Sequence, residues 1–481
     1  MVPLQARAGH PGAVGLQRLP RGILDPFVPG QPQVVVGAEH DRLAPLHVHH
    51  GPGLRLQDPE VGEEVRLLGR LELLGAVVVA GLGEDVQGGR GSFGHGVSVG
   101  FPIVPGELTI RPVEGKSDLK RFVKLPFKLH AGSQEWVPPL IFERLEFLNP
   151  KKNPYFEHAE VQLFLAERDG EPVGRISAQI DSRWDQFQGG KDGIFGFFEC
   201  EDDPATAKAL LDAAAAWMKE RGRERMLGPM DFTTNDEIGV LVDGFDQPAL
   251  ILEPWHPPHY GPAIEAAGYS KAIDVWMWRL AMGELQEGNE FHPAIMAAAD
   301  KVEGEHGVKI RSMDKSKLKR EVRIFSDIYN EAWGDNWGFV PITEAEGDFQ
   351  AKNLKPVLDE DWAYIAELDG EPVGAALTLP DINQVTKKMN GRLLPFGWLR
   401  FLLGKGKVDR VRVFALGVKP EYQHTGIAAK FYVEHVETAK VTPQKAGDQG
   451  WILETNEPMN RAMEGMGGEI VKRYRLYEKT I

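Results

Sequence analysis

Phe164-Leu165-Ala166-Glu167-Arg168-Asp169-Gly170-Glu171-Pro172-Val173-Gly174 and Tyr364-Ile365-Ala366-Glu367-Leu368-Asp369-Gly370-Glu371-Pro372-Val373-Gly374 are near copies two hundred positions apart. Each is an apolar run, an Asp-Gly pair and a second apolar run, the pattern of a β-hairpin closed by a two-residue turn. A hairpin recurring with the same residues predicts one kind of domain occurring twice. Only the second copy is followed by a loop suited to a phosphorylated cofactor, so the two halves are expected to do different work.

Reading outward, both halves show the same order of elements. In the first, Leu108 to Val113 reads as a strand and Ser117 to His130 as a helix with Ser117 as N-cap. The hairpin follows, then a strand at Ile194 to Glu199. A helix at Pro204 to Arg221 has Asp203 as N-cap and proline at its first position. Strands at Arg225 to Met230 and Ala272 to Leu280 end this half. In the second, a strand at Val308 to Met313 precedes a helix at Lys317 to Trp333 capped by Ser316, and a helix at Glu344 to Leu354 capped by Thr343. After the hairpin come a strand at Val408 to Val418, a helix from about Thr425 to Lys440, a strand at Trp451 to Glu454, a short helix at Pro458 to Glu464 and a last strand at Ile470 to Glu478. This order predicts an α/β (α+β mixed sheet) fold with helices on the faces of the sheet. The expected divisions are an extension over 1–104, a first domain over 105–285 and a second over 286–481, joined within Met282 to His292.

The extension differs in composition. No Lys, Asn, Tyr, Trp or Cys precedes Lys116, and neither a helical period nor strand alternation survives the scattered Gly and Pro. Two readings fit: GC-rich DNA translated upstream of a start near Val104 to Leu108, or a disordered tail. The cluster His47-Val48-His49-His50 has metal-ligating residue types, but nothing nearby completes a site, so no metal is expected.

The chain of 481 residues is 42% hydrophobic and 26% charged, the composition of a globular protein. Its 55 basic and 70 acidic residues give a net charge of −15, which disfavours a nucleic-acid partner. The single Cys200 excludes an internal disulfide and any multi-cysteine zinc site. With no secretory signal and no run long enough to span a bilayer, the expected location is the cytoplasm, without stable membrane insertion.

The loop after the second hairpin reads Val411-Arg412-Val413-Phe414-Ala415-Leu416-Gly417-Val418-Lys419-Pro420-Glu421-Tyr422-Gln423-His424-Thr425-Gly426-Ile427-Ala428. A strand ends at Val418 and a short turn opens a helix, whose first amides point outward and favour an anion. Gly426 lets backbone approach a diphosphate, and Gln423 and Thr425 offer side-chain donors. The segment resembles the acyl-CoA motif of the GNAT superfamily of N-acetyltransferases, Gln/Arg-x-x-Gly-x-Gly/Ala. The resemblance extends over most of residues 300–481 and more loosely over 106–282, as in bacterial tandem acetyltransferase-like proteins. It implies two tandem acyl-CoA N-acyltransferase-like domains. The first is degenerate, because Cys200, Glu201, Asp202, Asp203 and Pro204 put three carboxylates and a proline where the diphosphate would sit. That domain is expected to support the second or to shape the acceptor cleft.

The resemblance further implies acetyl-CoA as co-substrate, lying between the strands that end at Val418 and Glu454. It puts Leu416, Val418, Gln423, His424, Thr425, Gly426, Ile427, Ala428 and Asn456 at the cofactor. A backbone N–H near Leu416 to Val418 would polarise the thioester. Glu454 is the first candidate for the general base that an ammonium acceptor needs; its ordinary alternatives are pairing with a surface cation or capping the next helix. His424 and His435 are weaker candidates. Aligning Asn456 with the family's Asn-x-x-Ala-x-x-Leu-Tyr places Met463 where the family has its acid, leaving Tyr474, Tyr477 or water to protonate the thiolate.

Other segments carry less specific signals. Trp337 and Phe339 are candidates for an acceptor wall or for core. The insertion from Gly391 to Leu403 is a lid, a partner surface, a membrane-touching segment, or packing against the first domain. Gly228 to Glu237 and Trp255 to Tyr260 are polar–aromatic loops expected to face a shared cleft. The leading expectation is an acyl-CoA-dependent N-acyltransferase acting on a small-molecule or protein amine. The alternatives are a non-catalytic acyl-CoA-binding scaffold and a tRNA-dependent aminoacyl transferase.

Overall fold

The computed structural model describes residues 106–282, 293–334 and 336–481. The extension 1–104, the histidine cluster at 47–50 and the expected linker after Met282 lie outside them. Both Asp-Gly turns close hairpins: φ is 53° and 79° at Asp169 and Gly170, and 52° and 87° at Asp369 and Gly370. Two residues at positive φ match the twist of the flanking strands, which glycine adopts freely and aspartate tolerates.

The first repeat runs β1 (Leu108–Pro112), α1 (Gly115–Leu129), α2 (Ile141–Phe147), β2 (Ala159–Arg168), β3 (Glu171–Asp181), α3 (Ser182–Gln188), β4 (Asp192–Cys200), α4 (Pro204–Lys219), β5 (Arg225–Gly228), β6 (Val240–Asp243), α5 (Tyr260–Ala266) and β7 (Ser270–Leu280). The second opens with α6 (Pro293–Gly304), a helix not expected from the sequence. It continues through β8 (Val308–Ser312), α7 (Leu318–Ala332), α8 (Glu344–Leu354), β9 (Ala363–Leu368), β10 (Glu371–Pro380), α9 (Asn383–Thr386), α10 (Gly397–Gly404), β11 (Arg410–Val418), α11 (Ile427–Val441), β12 (Ala446–Leu453), α12 (Glu457–Gly465) and β13 (Glu469–Thr480).

Local chemistry sets most of these ends. Asp203 accepts from the Ala205 N–H and Pro204 starts α4. Thr343 and Glu346 form a reciprocal capping box on α8. Two expected caps are corrected. Helix α1 begins at Gly115, ahead of Ser117, and the Asp118 carboxylate takes the Glu114 N–H. Asp314, not Ser316, caps the turn that leads into α7, because an acid two residues earlier already takes the Ser316 N–H.

The two repeats exchange strands. The sheet runs β1-β2-β3-β4-β5-β13-β7-β12-β11-β10-β9-β8, with β6 also on β13. The last strand of the chain therefore sits in the first repeat, pairing with β5 from Tyr477↔Gly228 to Thr480↔Arg225. In return β7 carries the first repeat to β12. The alternate residues Tyr474 and Leu476 of β13 bury completely in a core made otherwise largely by the first repeat. Exchange leaves neither inner edge unpaired.

Charges are buried along this junction. The Lys472 ammonium lies 2.6 Å from Glu253 and Arg412 lies 3.7 Å from the same carboxylate. The Arg412 guanidinium also donates to the carbonyls of Ile251 and Leu252 at 2.6 and 2.5 Å. At the rim, His158 contacts Asp181 of the first repeat at 2.8 Å and Glu346 of the second at 3.1 Å.

Candidate active site

Each repeat contains a fork of two parallel strands. In the first, β4 and β5 pair only from Asp192↔Arg225 to Ile194↔Leu227. In the second, β11 and β12 pair only from Arg410↔Ala446 to Val413↔Gln449. Beyond those rungs the strands part, and a cavity fills each fork. Gly174 pairs with Cys200 and Gly374 with Val418, so Glu199 in the first fork is the positional counterpart of Gly417 in the second.

The second fork holds a cavity of about 140 Å³. Leu416, Gly417 and Asn456 line it, together with Trp337, Phe339, Tyr329 and Trp333. The two aromatic residues expected at an acceptor wall thus stand at a cavity. No carboxylate, histidine or cysteine is among the described residues that line it.

Glu454 stays outside. Its carboxylate pairs with Lys271 at 2.7 Å and accepts the Asp274 N–H at 3.1 Å. The expected base is thereby held in its alternative role, pinning β7 to β12. His435 is buried between Thr378 Oγ1 (2.7 Å) and the Phe431 carbonyl (2.6 Å), and burial lowers its pKa to about 4. Met463 is core. Tyr474 and Tyr477 turn into the first repeat, their hydroxyls on the Pro254 carbonyl and Glu265.

The expected cofactor turn is present at the start of α11, with Val418 and Ile427 buried and His424 exposed. Its side chains, however, serve the chain itself. Gln423 donates to the Val418 carbonyl at 3.3 Å and Thr425 to the Tyr422 carbonyl at 2.6 Å. Ile427 and Ala428 pack into the β9–β10–α11 core. Asn456 caps α12 by accepting the Met459 N–H. Gly426 has φ of 84°, and a Cβ there would lie 2.6 Å from the Ala298 carbonyl oxygen. Its small size thus serves the approach of α6. The turn fits an anion through the backbone amides that open α11, which have no carbonyl one turn earlier in the helix, rather than through Gln423 or Thr425.

The first fork holds a cavity of about 510 Å³. Phe197, Phe198 and Glu199 enter from β4, and Asp231 from the loop after β5. The second repeat roofs it with Leu354, Met389, Leu393 and Phe401. Both loops expected to face a shared cleft do so. Trp255 and His256 line this cavity, while 230–239 is a partition: Asp231, Glu237 and Gly239 face the larger cavity, Thr234, Asn235 and Ile238 the smaller.

A polar cluster is set into these apolar walls. Glu199 Oε2 lies 2.7 Å from His130 Nε2 and accepts the Tyr260 hydroxyl at 2.8 Å. Burial pushes the Glu199 carboxyl up, but the field and hydrogen bond of His130, with Arg175, outweigh it and hold the pKa down to about 2. Burial lowers His256 to about 4, and its Nδ1 accepts the Leu241 N–H at 3.2 Å. Asp231 behaves oppositely. Burial raises it to about 6, against the opposing pull of Arg144 and the Phe197 N–H that it accepts at 2.6 Å. A carboxylate poised near neutrality at a cavity is suited to taking a proton. The sequence placed Asp231 in a loop expected to face the cleft but gave neither it nor Glu199 a role, because neither belongs to a motif; Glu199 lies near the end of β4 and Asp231 follows β5.

No family model matches the chain. It is 39% identical over 389 residues to a bacterial ceramide synthase from Caulobacter vibrioides (strain NA1000 / CB15N), covering 79% of this chain and 100% of that one. It is 38% identical over 378 residues to protein YghO from Escherichia coli (strain K12), covering 77% and 95%. The chain belongs to the family of these two proteins. Similar solved structures include a tandem GNAT protein from the clavulanic acid biosynthesis pathway, with TM-score 0.48 and 12% identity over 78% of this chain and 98% of that one. A GCN5-related N-acetyltransferase from Sphaerobacter thermophilus has TM-score 0.40 and 13% identity over 78% and 95%. The hairpin, fork and helix order described above occurs twice in one mixed sheet, and these similar solved structures are GNAT proteins. Among the described residues, no helix is long and apolar enough to cross a membrane and no group of three ligating side chains is placed for a metal ion.

Proposed function

We propose that this protein is an acyl-CoA-dependent N-acyltransferase that joins a long-chain acyl group to the amine of a long-chain amino alcohol, the reaction class that its Caulobacter relative's name denotes. The observation that carries this reading is the cavity of about 510 Å³ in the first fork, lined largely by apolar side chains with Glu199 and Asp231 among its polar groups. That volume lies in the range of sites that enclose whole small molecules, roughly 300–1,000 Å³, while the second fork's 140 Å³ falls below it. An alkyl tail seats against Phe197, Leu354, Met389 and Phe401, and the ammonium is drawn toward the carboxylates.

In this reading Asp231 takes the proton that the ammonium must lose before its nitrogen attacks. The C–N bond then forms as the C–S bond breaks, and coenzyme A leaves as a thiol on taking up the second proton that the nitrogen sheds as it becomes an amide. Glu199, held ionised by His130, orients the amine by charge. Coenzyme A supplies the activated acyl group, and the turn from Gln423 to Ala428 would meet its diphosphate through main-chain amides. The smaller cavity favours a second reading, transfer of an acetyl group to a small amine.

The test is to incubate the full chain with palmitoyl-CoA or acetyl-CoA and either sphinganine or a panel of small amines. Thiol release and the amide product are then followed by mass spectrometry. Palmitoyl transfer to sphinganine is the expected result. Acetyl transfer to small amines without any long-chain product selects the second reading, and tight CoA binding without thiol release leaves a scaffold.

A further inference from the structure

The insertion before β11 is the place where large apolar side chains meet solvent. Phe396 is 68% exposed, Leu399 40%, Leu402 41% and Leu403 67%; outside this segment the described residues expose only Phe187 and Val441 comparably. The four span two turns in and beside α10. Around them stand Lys387, Lys388, Arg392, Arg400, Lys405 and Lys407, all exposed. Residues 383–408 contain these six cations and no acidic residue, in a chain of net charge −15.

The inner side of the same segment is fixed. The Ile141 N–H donates to the Gly391 carbonyl at 3.0 Å, and the Lys387 ammonium donates to the Gln134 carbonyl. Met389 and Leu393 are buried, and with Phe401 they roof the larger cavity. One short stretch thus presents leucines and a phenylalanine ringed by cations outward and closes an apolar chamber inward. An apolar face bordered by Lys and Arg is the pattern of a helix that lies in a bilayer interface, where anionic headgroups meet the cations and acyl chains meet the apolar tips. At eight residues α10 is far too short to cross.

We propose that the segment 387–407 docks this protein on the surface of an anionic phospholipid bilayer, with the roof of the larger cavity turned toward the membrane. The charge asymmetry selects the occupant: an otherwise acidic molecule approaches an anionic surface only through its cationic patch. The proposal names where a lipid-like substrate enters and so deepens the reaction proposed above, but its test measures binding alone and stands if that reaction fails.

The full chain is mixed with vesicles of phosphatidylcholine, with or without phosphatidylglycerol, and floated through a density gradient without acyl-CoA. Binding is expected to the phosphatidylglycerol vesicles and to weaken with added salt. Leu399→Glu with Leu403→Glu, and separately Lys405→Glu with Lys407→Glu, should each cut the bound fraction by about tenfold. Unchanged thermal melting verifies their folding, as these side chains are exposed. Absence of vesicle binding by the unaltered chain, or full binding by both variants, overturns the proposal. So does loss of self-association or of binding to an acidic carrier protein in the variants while vesicle binding stays absent.

Discussion

Two carboxylates a short distance along the chain illustrate how surroundings assign roles. Glu199 is held low by His130 and Arg175, whereas Asp231, with a single N–H donor and an opposing but weaker guanidinium field, is raised by burial to about 6. Asp231→Asn should therefore lower kcat by roughly 10²–10⁴-fold. In the unaltered chain kcat/KM should rise with pH through about 6, and that limb should vanish in the variant, read from a pH–rate profile. The same shift has a stability sign. Between the ordinary 3.8 and about 6 the folded state keeps a proton that the unfolded chain has lost, so Asp231 costs stability as pH rises through that window. The asparagine variant should melt higher at neutral pH by an amount on the order of 1 kcal/mol. A kcat loss together with lower stability would instead mark Asp231 as a structural residue. Gly426 is a second case. With φ of 84° and Ala298 at 2.6 Å from any Cβ, Gly426→Ala should destabilise by about 1–3 kcal/mol in a chemical melt. An unchanged midpoint would show that α6 does not rest there.

At the scale of elements, α8 shows how a local signal gains a tertiary use. Thr343 and Glu346 satisfy the first turn of the helix, a box legible from residue types alone. The same Glu346 reaches His158 of the other repeat. Burial lowers the imidazole pKa, but the hydrogen bonds to Asp181 and Glu346 outweigh it and raise it to about 9. A raised folded pKa means that this latch contributes fully below the unfolded value near 6.5 and is lost as pH rises through about 9. His158→Gln should accordingly lower stability by about 2 kcal/mol at pH 6 and by much less at pH 10. Equal losses at both pH values would refute a charged latch. The N-caps expected at Ser117 and Ser316 failed because both serines lie inside a turn that has already begun: α1 starts at Gly115, and Asp314 caps the turn before α7 by taking the Ser316 N–H.

For the whole molecule, the strand exchange decides what can fold alone. Residues 469–480 complete the first repeat and 270–280 bridge to the second. Separate expression of the halves divided within 283–292 should give insoluble products with open sheet edges, and co-expression should restore a soluble pair. Two independently soluble, cooperatively melting halves would contradict this. The buried Glu253, Lys472 and Arg412 lie on the same seam. Lys472→Met would leave Glu253 facing Arg412 alone at 3.7 Å. The cost should be about 3–5 kcal/mol by chemical denaturation.

The amino-acid sequence by itself determined the repeat, the hairpins, the longer helices and strands that flank them and the turn at the head of α11. Each of these depends on neighbours within a few residues: turn chemistry, caps and apolar period. Only the tertiary structure decided that β13 crosses into the first repeat and that Glu454 is taken by Lys271. It alone made Gly426 a seat for α6 and put the larger cavity in the half whose loop lacks a diphosphate motif. Those outcomes depend on partners as much as about 250 residues away, brought together by sheet pairing and burial. Local residue types carry no record of such partners.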